Sequence, residues 1–187
     1  VLQGNKPFLA TSCCPSWSKF AKRELGDLGH CVSDSNSPMI ETARIIQRDH
    51  PNSIIVFIGP CSAKKQEVAE PGLKGWVDYV LTFEEVTAMF DARNIDLENI
   101  EPAETYYEAS SDGRGFAISS GVLAAVINVI KEKHPEIDVQ SEKAESLSEC
   151  RKLLLRAKMG KRARFILEGM ACPGGCIGGA GTMINQN

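Results

Sequence analysis

Near its C-terminus the chain reads Glu168-Gly169-Met170-Ala171-Cys172-Pro173-Gly174-Gly175-Cys176-Ile177-Gly178-Gly179-Ala180-Gly181, and no other stretch restricts the possible fold as strongly. Two cysteines four residues apart can set both sulfurs on one side of a helical turn, aimed at one point. Six glycines surround them, and glycine lets backbone approach a bulky group where any Cβ would collide. A disulfide would use the cysteines but would give no reason for the glycines. The stretch predicts a loop wrapped around an inorganic group.

The rest of the chain has to present that loop. Its 187 residues suffice for one domain with a proper core. A formal net charge of −3 argues against a nucleic-acid footprint, which would be basic. No apolar run spans a bilayer; Val122 to Ile130 is the longest, and Asn128 interrupts it. The seven cysteines are odd in number and include the adjacent pair Cys13-Cys14, which fits a secreted disulfide framework poorly. In a cytoplasmic setting such cysteines bind metal or carry chemistry. The start at Val1 and the end in Asn-Gln-Asn predict that residues 1–187 are a piece of a longer protein.

Short β-rich runs alternate with helical patterns along the chain. Strands are predicted at Phe8–Thr11, Ser53–Ile58, Asp78–Thr82, Ile137–Ser141 and Arg164–Glu168, with Ser53–Ile58 covered on both faces. Pro15 opens a helix carrying Trp17, Phe20, Ala21 and Leu25, and Pro38 opens one carrying Met39, Ile40, Ala43 and Ile46. Further helices are predicted over Ser62 to Glu70, from Phe83 with Val86, Met89 and Phe90 inward, over Gly115 to Lys133 with Ile118, Val122, Val126 and Ile130 inward, and from Ser146. Asn94 to Glu108 reads as an acidic surface excursion. The alternation predicts an α/β fold, a mostly parallel sheet with helices on both faces.

In such sheets ligands gather beyond the carboxyl ends of the strands. Cys13-Cys14, Cys61 and Cys172/Cys176 each follow a predicted strand, so all should share one rim. Thiolates select zinc, copper(I) or iron–sulfur clusters. Structural zinc favours close pairs in small autonomous loops, whereas four thiolates from three loops suit a cluster, which fills more space.

These residues also carry a resemblance. Thr11-Ser12-Cys13-Cys14-Pro15-Ser16-Trp17, Pro60-Cys61-Ser62-Ala63-Lys64-Lys65-Gln66-Glu67 and Glu168 to Gly181 resemble, in order, the three signatures of iron-only ([FeFe]) hydrogenases. The resemblance implies the C-terminal part of the catalytic domain, with reversible conversion of dihydrogen into protons and electrons. The implied cofactor is the H-cluster, a [4Fe-4S] cubane joined to a two-iron unit with CO, cyanide and a bridging dithiolate. By the same resemblance Cys14, Cys61, Cys172 and Cys176 ligate the cubane, and Cys176 bridges to the two-iron unit. Cys13 becomes the first protein group of a proton path, where a thiol of ordinary pKa, about 8.5, exchanges protons readily. Lys64 donates to a cyanide, Glu67 belongs to its signature, and Ser33 falls at a proton-path serine. Pro60, Ser37, Phe116, Met170, Gly178 and Gly179 pack around the cofactor. Implied partners are the N-terminal remainder of the domain and a redox partner such as ferredoxin, or a signalling domain.

Two departures stand out. Gly59 occupies the place of a methionine before the proline, and Gly179-Ala180-Gly181-Thr182-Met183 replaces three glycines, Gln and Pro. They resemble divergent, sensory members of the family, and they motivate a second reading, a non-catalytic redox- or gas-sensing module. A Cys₄ zinc domain is a third. Elsewhere the plainer reading holds: Cys31 and Cys150 are structural thiols, Met39, Trp17 and Phe20 are core, and His30, His50 and His134 lie on the surface.

Overall fold

A computed structural model of the protein describes residues 6–101 and 109–184. Among the described residues, five strands and seven α-helices follow one another as β1 Leu9–Ala10, α1 Pro15–Leu25, α2 Pro38–Asp49, β2 Val56–Ile58, α3 Ala63–Glu67, β3 Tyr79–Leu81, α4 Phe83–Ala92, α5 Ser111–Gly115, α6 Gly121–Lys133, β4 Ser141–Glu145, α7 Ser146–Lys158 and β5 Ile166–Met170. The fold is α/β, and every strand pairing is parallel.

The strands form two sheets, ordered β1-β5-β4 and β2-β3, where the alternation alone had suggested one. All five residues of the central strand β5 are buried, as expected of a parallel strand covered on both sides. Leu167 of this strand is fully buried, with Phe8, Trp17, Leu153 and Leu154 fully buried in the same core. Burying each such side chain contributes roughly 1.5–3 kcal/mol. A second core joins Met39, Ile40, Ala43, Ile55 and Val77 beneath the other sheet.

Helices α1 and α2 start at Pro15 and Pro38 as predicted, because proline has no N–H to lose at a first helical position and its φ is already helical. Other expectations shift. The strand predicted at Ile137–Ser141 lies at Ser141–Glu145, where it pairs along the whole of β5. β2 is not covered on both faces: Ile55 and Gly59 point inward, while Ile54, Val56 and Ile58 are exposed at 73%, 44% and 51%. Helix α4 buries none of its residues, and Met89 lies in solvent. The long helix predicted from Gly115 is two, α5 and α6, separated by residues 116–120. At this break Gly121 crosses so close to the Gly115 carbonyl that a Cβ would lie 1.8 Å from it. The buried residues of α6 are Leu123 and Ala125, while Ile118 is exposed. Of the acidic excursion, residues 102–108 lie outside the described residues. Among the described residues no helix is long and apolar enough to cross a membrane.

Candidate functional site

The loop after β1 is held from two sides. The Trp17 indole N–H donates to the Thr11 carbonyl at 2.9 Å, and the ring lies flat against β5, where a Cβ on Gly169 would come within 2.2 Å of it. Trp17 is therefore core, and it also fixes the approach to Cys13 and Cys14. Cys14 stands at the N-cap of α1 in extended conformation.

The loop after β2 carries Cys61 into α3. Two residues of α3, Lys64 and Glu67, are buried together and paired at 2.8 Å. Sequence pattern marks a charged short helix as solvated, and burial of the pair is a tertiary effect. The Lys64 ammonium also donates to the Cys13 carbonyl at 3.4 Å, tying the first two loops. Among the described residues, a third N–H of Lys64 remains for another acceptor.

The loop after β5 stitches the two sheets together. Cys172 lies in a bend and Cys176 opens a single 3₁₀ turn, so the pair does not share the helical turn its spacing suggested. Gly181 N–H donates to the Pro60 carbonyl at 3.0 Å. A Cβ on Gly179 would sit 2.0 Å from that same carbonyl, one on Gly175 would sit 2.5 Å from Ser119 N, and one on Gly181 would sit 2.7 Å from Thr82. These glycines admit neighbouring protein loops. Gly178 is buried in the turn, its N–H bonded to the Gly175 carbonyl. Glu145, at the end of β4, accepts the Gly174 N–H at 2.8 Å, and that bond, with Ser119 and Lys143, holds its carboxyl below the usual range.

The three loops meet although they come from two sheets. Burial pushes the Cys176 thiol up to about 11, and Cys14, Cys61 and Cys172 all add to the rise while Lys64 opposes it. Burial raises Cys172 as well, with Cys14 and Cys61 adding to it. Cys14, Cys61 and Cys172 are thus near enough to Cys176 to act on its thiol, and four cysteines are a donor set suited to a soft cationic group. Among the described residues no three His, Cys, Asp or Glu side chains are grouped as a single bound metal ion requires.

Beside it lies a cavity of about 310 Å³, walled by Cys13, Pro60, Lys64, Phe116, Met170 and Cys176 with Met39, Phe57, Phe83 and Val122. Cys176 alone of the four candidate ligands reaches it. The Cys13 thiol, which sequence left at an ordinary pKa, is pushed up to about 12 by burial, with Glu168 adding and a hydrogen bond to Thr11 opposing. Ser33 and Ser37 border a different, polar cavity of about 270 Å³, which Glu67 also borders. Ser33 exchanges hydrogen bonds with Ser35. The buried Ser37 hydroxyl has no partner among the described residues. The Lys64–Glu67 pair separates the two cavities. Cys31 and Cys150 are fully buried structural thiols, and the three histidines are exposed.

Sequence reasoning places Glu168 in the glycine-rich stretch without giving it a role. It is wholly buried, and its two oxygens accept the N–H groups of Ser120 at 2.5 Å and Leu123 at 2.7 Å, capping α6. The cap fixes residues 116–120, which pair in turn with the C-terminal loop through Ser119 N–H to Gly174 and Ile177 N–H to Ala117. Burial raises the Glu168 carboxyl despite those bonds. The available signal was a lone carboxylate inside an apolar strand.

Known proteins resemble the chain in sequence and in fold. Residues 1–180 match the model of the family described as iron-only hydrogenase large subunit, C-terminal domain. The NADP-reducing hydrogenase subunit HndD of Solidesulfovibrio fructosivorans is 28% identical over 92% of this chain and 36% of its own length. The cytosolic iron-sulfur assembly component 3 of Pongo abelii is 25% identical over 95% of the chain and 47% of its own. The chain thus spans between about a third and a half of these relatives. In fold, it superposes on a [FeFe]-hydrogenase HydA1 from Chlamydomonas reinhardtii with a TM-score of 0.76 at 22% identity, covering 97% of this chain and 63% of that one.

Proposed function

Since the chain belongs to the family of the iron-only hydrogenase large subunit's C-terminal domain, we propose that within its full-length protein it is an oxidoreductase that interconverts dihydrogen with protons and electrons at an H-cluster. The observation supporting this reading is that the three cysteine-bearing loops meet, Gly181 bonding to Pro60 and Lys64 to the Cys13 carbonyl, with Cys176 and Cys13 on the wall of a mainly apolar cavity.

Cys14, Cys61, Cys172 and Cys176 would hold the [4Fe-4S] cubane, and the cavity that Cys176 lines would receive the two-iron unit. When bound, the cofactor supplies the iron chemistry that breaks or forms the H–H bond. The protein's own residues do the rest. Cys13 holds a proton at Sγ on the cavity wall, and its high pKa keeps that proton in place between transfers. Lys64, oriented by Glu67, presents an N–H to an anionic ligand. Met39, Phe116 and Met170 exclude water, which strengthens such polar contacts. The exposed face of β2 and β3, with Ile54, Val56, Ile58 and Tyr79, supports docking of a further segment of the hydrogenase domain.

Infrared spectra of the full-length, maturated protein test the assignment. CO and cyanide bands, with dihydrogen turnover abolished by Cys13→Ala, are expected. Zinc without iron or sulfide would overturn it.

A second reading, an iron–sulfur module without turnover, draws on the similarity to the iron–sulfur assembly component and on Gly59, which leaves the cavity without a side chain at that point. Bound iron with negligible dihydrogen turnover would favour it.

A further inference from the structure

Gly59 has no backbone reason to be glycine. It continues β2 in a conformation open to other residues, since it is absent from the glycines with positive φ, and its N–H donates to the Leu81 carbonyl at 3.0 Å. What a side chain there would meet is the ring of Phe57, which would have to move aside. A Cβ on Gly59 would lie 2.9 Å from both Cε1 and Cζ of that ring. Strand periodicity sets Ile55, Phe57 and Gly59 on one face, so the ring reaches two residues along its own strand and folds over the bare Cα.

The ring also stands between two spaces. It walls the cavity of about 310 Å³ that holds Cys13 and Cys176, and it walls a second, mainly apolar cavity of about 450 Å³ bordered by Ile46, Ile55 and Val77. Pro38, Met39 and Phe116 border both. From this geometry we infer that Phe57 is a positioning residue of the candidate site: its ring replaces a side chain at position 59, closes the inner cavity and keeps the outer space from merging with it. Phe57 and Gly59 form one reciprocal unit, in which either is tolerated because of the other.

A double-mutant cycle in the chain reads this coupling without cofactor. In extended backbone with room for a Cβ, Gly→Ala stabilises by restricting the unfolded chain. Gly59→Ala is therefore expected to lower the folding equilibrium constant in the native background, where the ring blocks the Cβ, and to raise it in Phe57→Ala. The difference between backgrounds should be on the order of tenfold, within the range for residues in contact. Phe57→Leu, which keeps bulk but loses the ring's far edge, provides a second background should Phe57→Ala not fold. The same sign and size of effect in all backgrounds would overturn the inference.

The second readout rests on the proposed function. In the full-length, maturated protein Phe57→Leu should shift the CO and cyanide bands, which a merely structural strand residue would leave in place. Bands present but unmoved refute the positioning role. Absence of bands from the unsubstituted protein refutes the functional reading and leaves the stability cycle to judge the wall.

Discussion

The two halves of the molecule use the same parallel pairing and end up in different condition. Around β1-β5-β4 every residue of the central strand is buried, and Trp17, Leu153, Leu154 and Leu167 close the core. Around β2-β3 only the inner face is covered, and Val56, Ile58 and Tyr79 stand in solvent. A two-stranded sheet is marginal by itself. The second half keeps its position by its small core and by the C-terminal loop of the first, through Gly179 and Gly181 against Pro60 and Thr82. The candidate site sits on that seam. Half of it is built on a self-sufficient core, and the half contributing Cys61 and Lys64 rides on a sheet with a face still open.

Truncation should separate the halves most sharply. Leu167→Ala is expected to cost about 2–5 kcal/mol in urea denaturation, whereas Ile58→Ala should stay within about 0.5 kcal/mol. Similar losses at both sites would mean that the β2 face is covered, and the contrast would fail. Next comes the cap between the halves. Glu168→Ala leaves the buried Leu123 N–H and the part-buried Ser120 N–H without an acceptor and should cost about 1–3 kcal/mol. Hydrogen exchange at Ser120 and Leu123 should rise far more than along β2. Exchange that rises evenly would show the carboxylate to be a general core element and no specific cap.

The smallest effect is a pH dependence at the edge of the first half. Burial works to raise the Glu142 carboxyl, but Arg162 and Arg156 outweigh it and hold the net value below the ordinary 4.5. A depressed folded pKa contributes stability above the unfolded value, and that contribution is lost as pH falls through the folded one. Between pH 7 and pH 3 the native chain should therefore lose more stability than Glu142→Gln. For a pair this open to solvent the difference should be below about 1 kcal/mol. Equal losses would remove the pair from the account. Glu168 has the opposite sign: its raised carboxyl weakens the fold as pH climbs from 4.5 towards the folded value, and Glu168→Gln should flatten that slope.

Much of this was written locally. Proline at the first helical position placed α1 and α2, alternation of apolar runs set the α/β class, and Cys14, Cys61 and Cys172 fall in loops just beyond strands. Such features depend on φ restrictions and on periodicity, which a few neighbouring residues settle. Other features depend on what packs against a residue from afar. Nothing local says that the strands divide into two sheets, that α5 and α6 break over a capping carboxylate 45 residues away from Leu123, or that Lys64 and Glu67 are buried as a pair. The glycines show the boundary best. Their spacing alone announced close approach, but only the tertiary structure decided that Gly169 meets Trp17, Gly179 meets Pro60 and Gly59 meets Phe57, because a missing side chain acquires its meaning from the atom that comes to occupy its space.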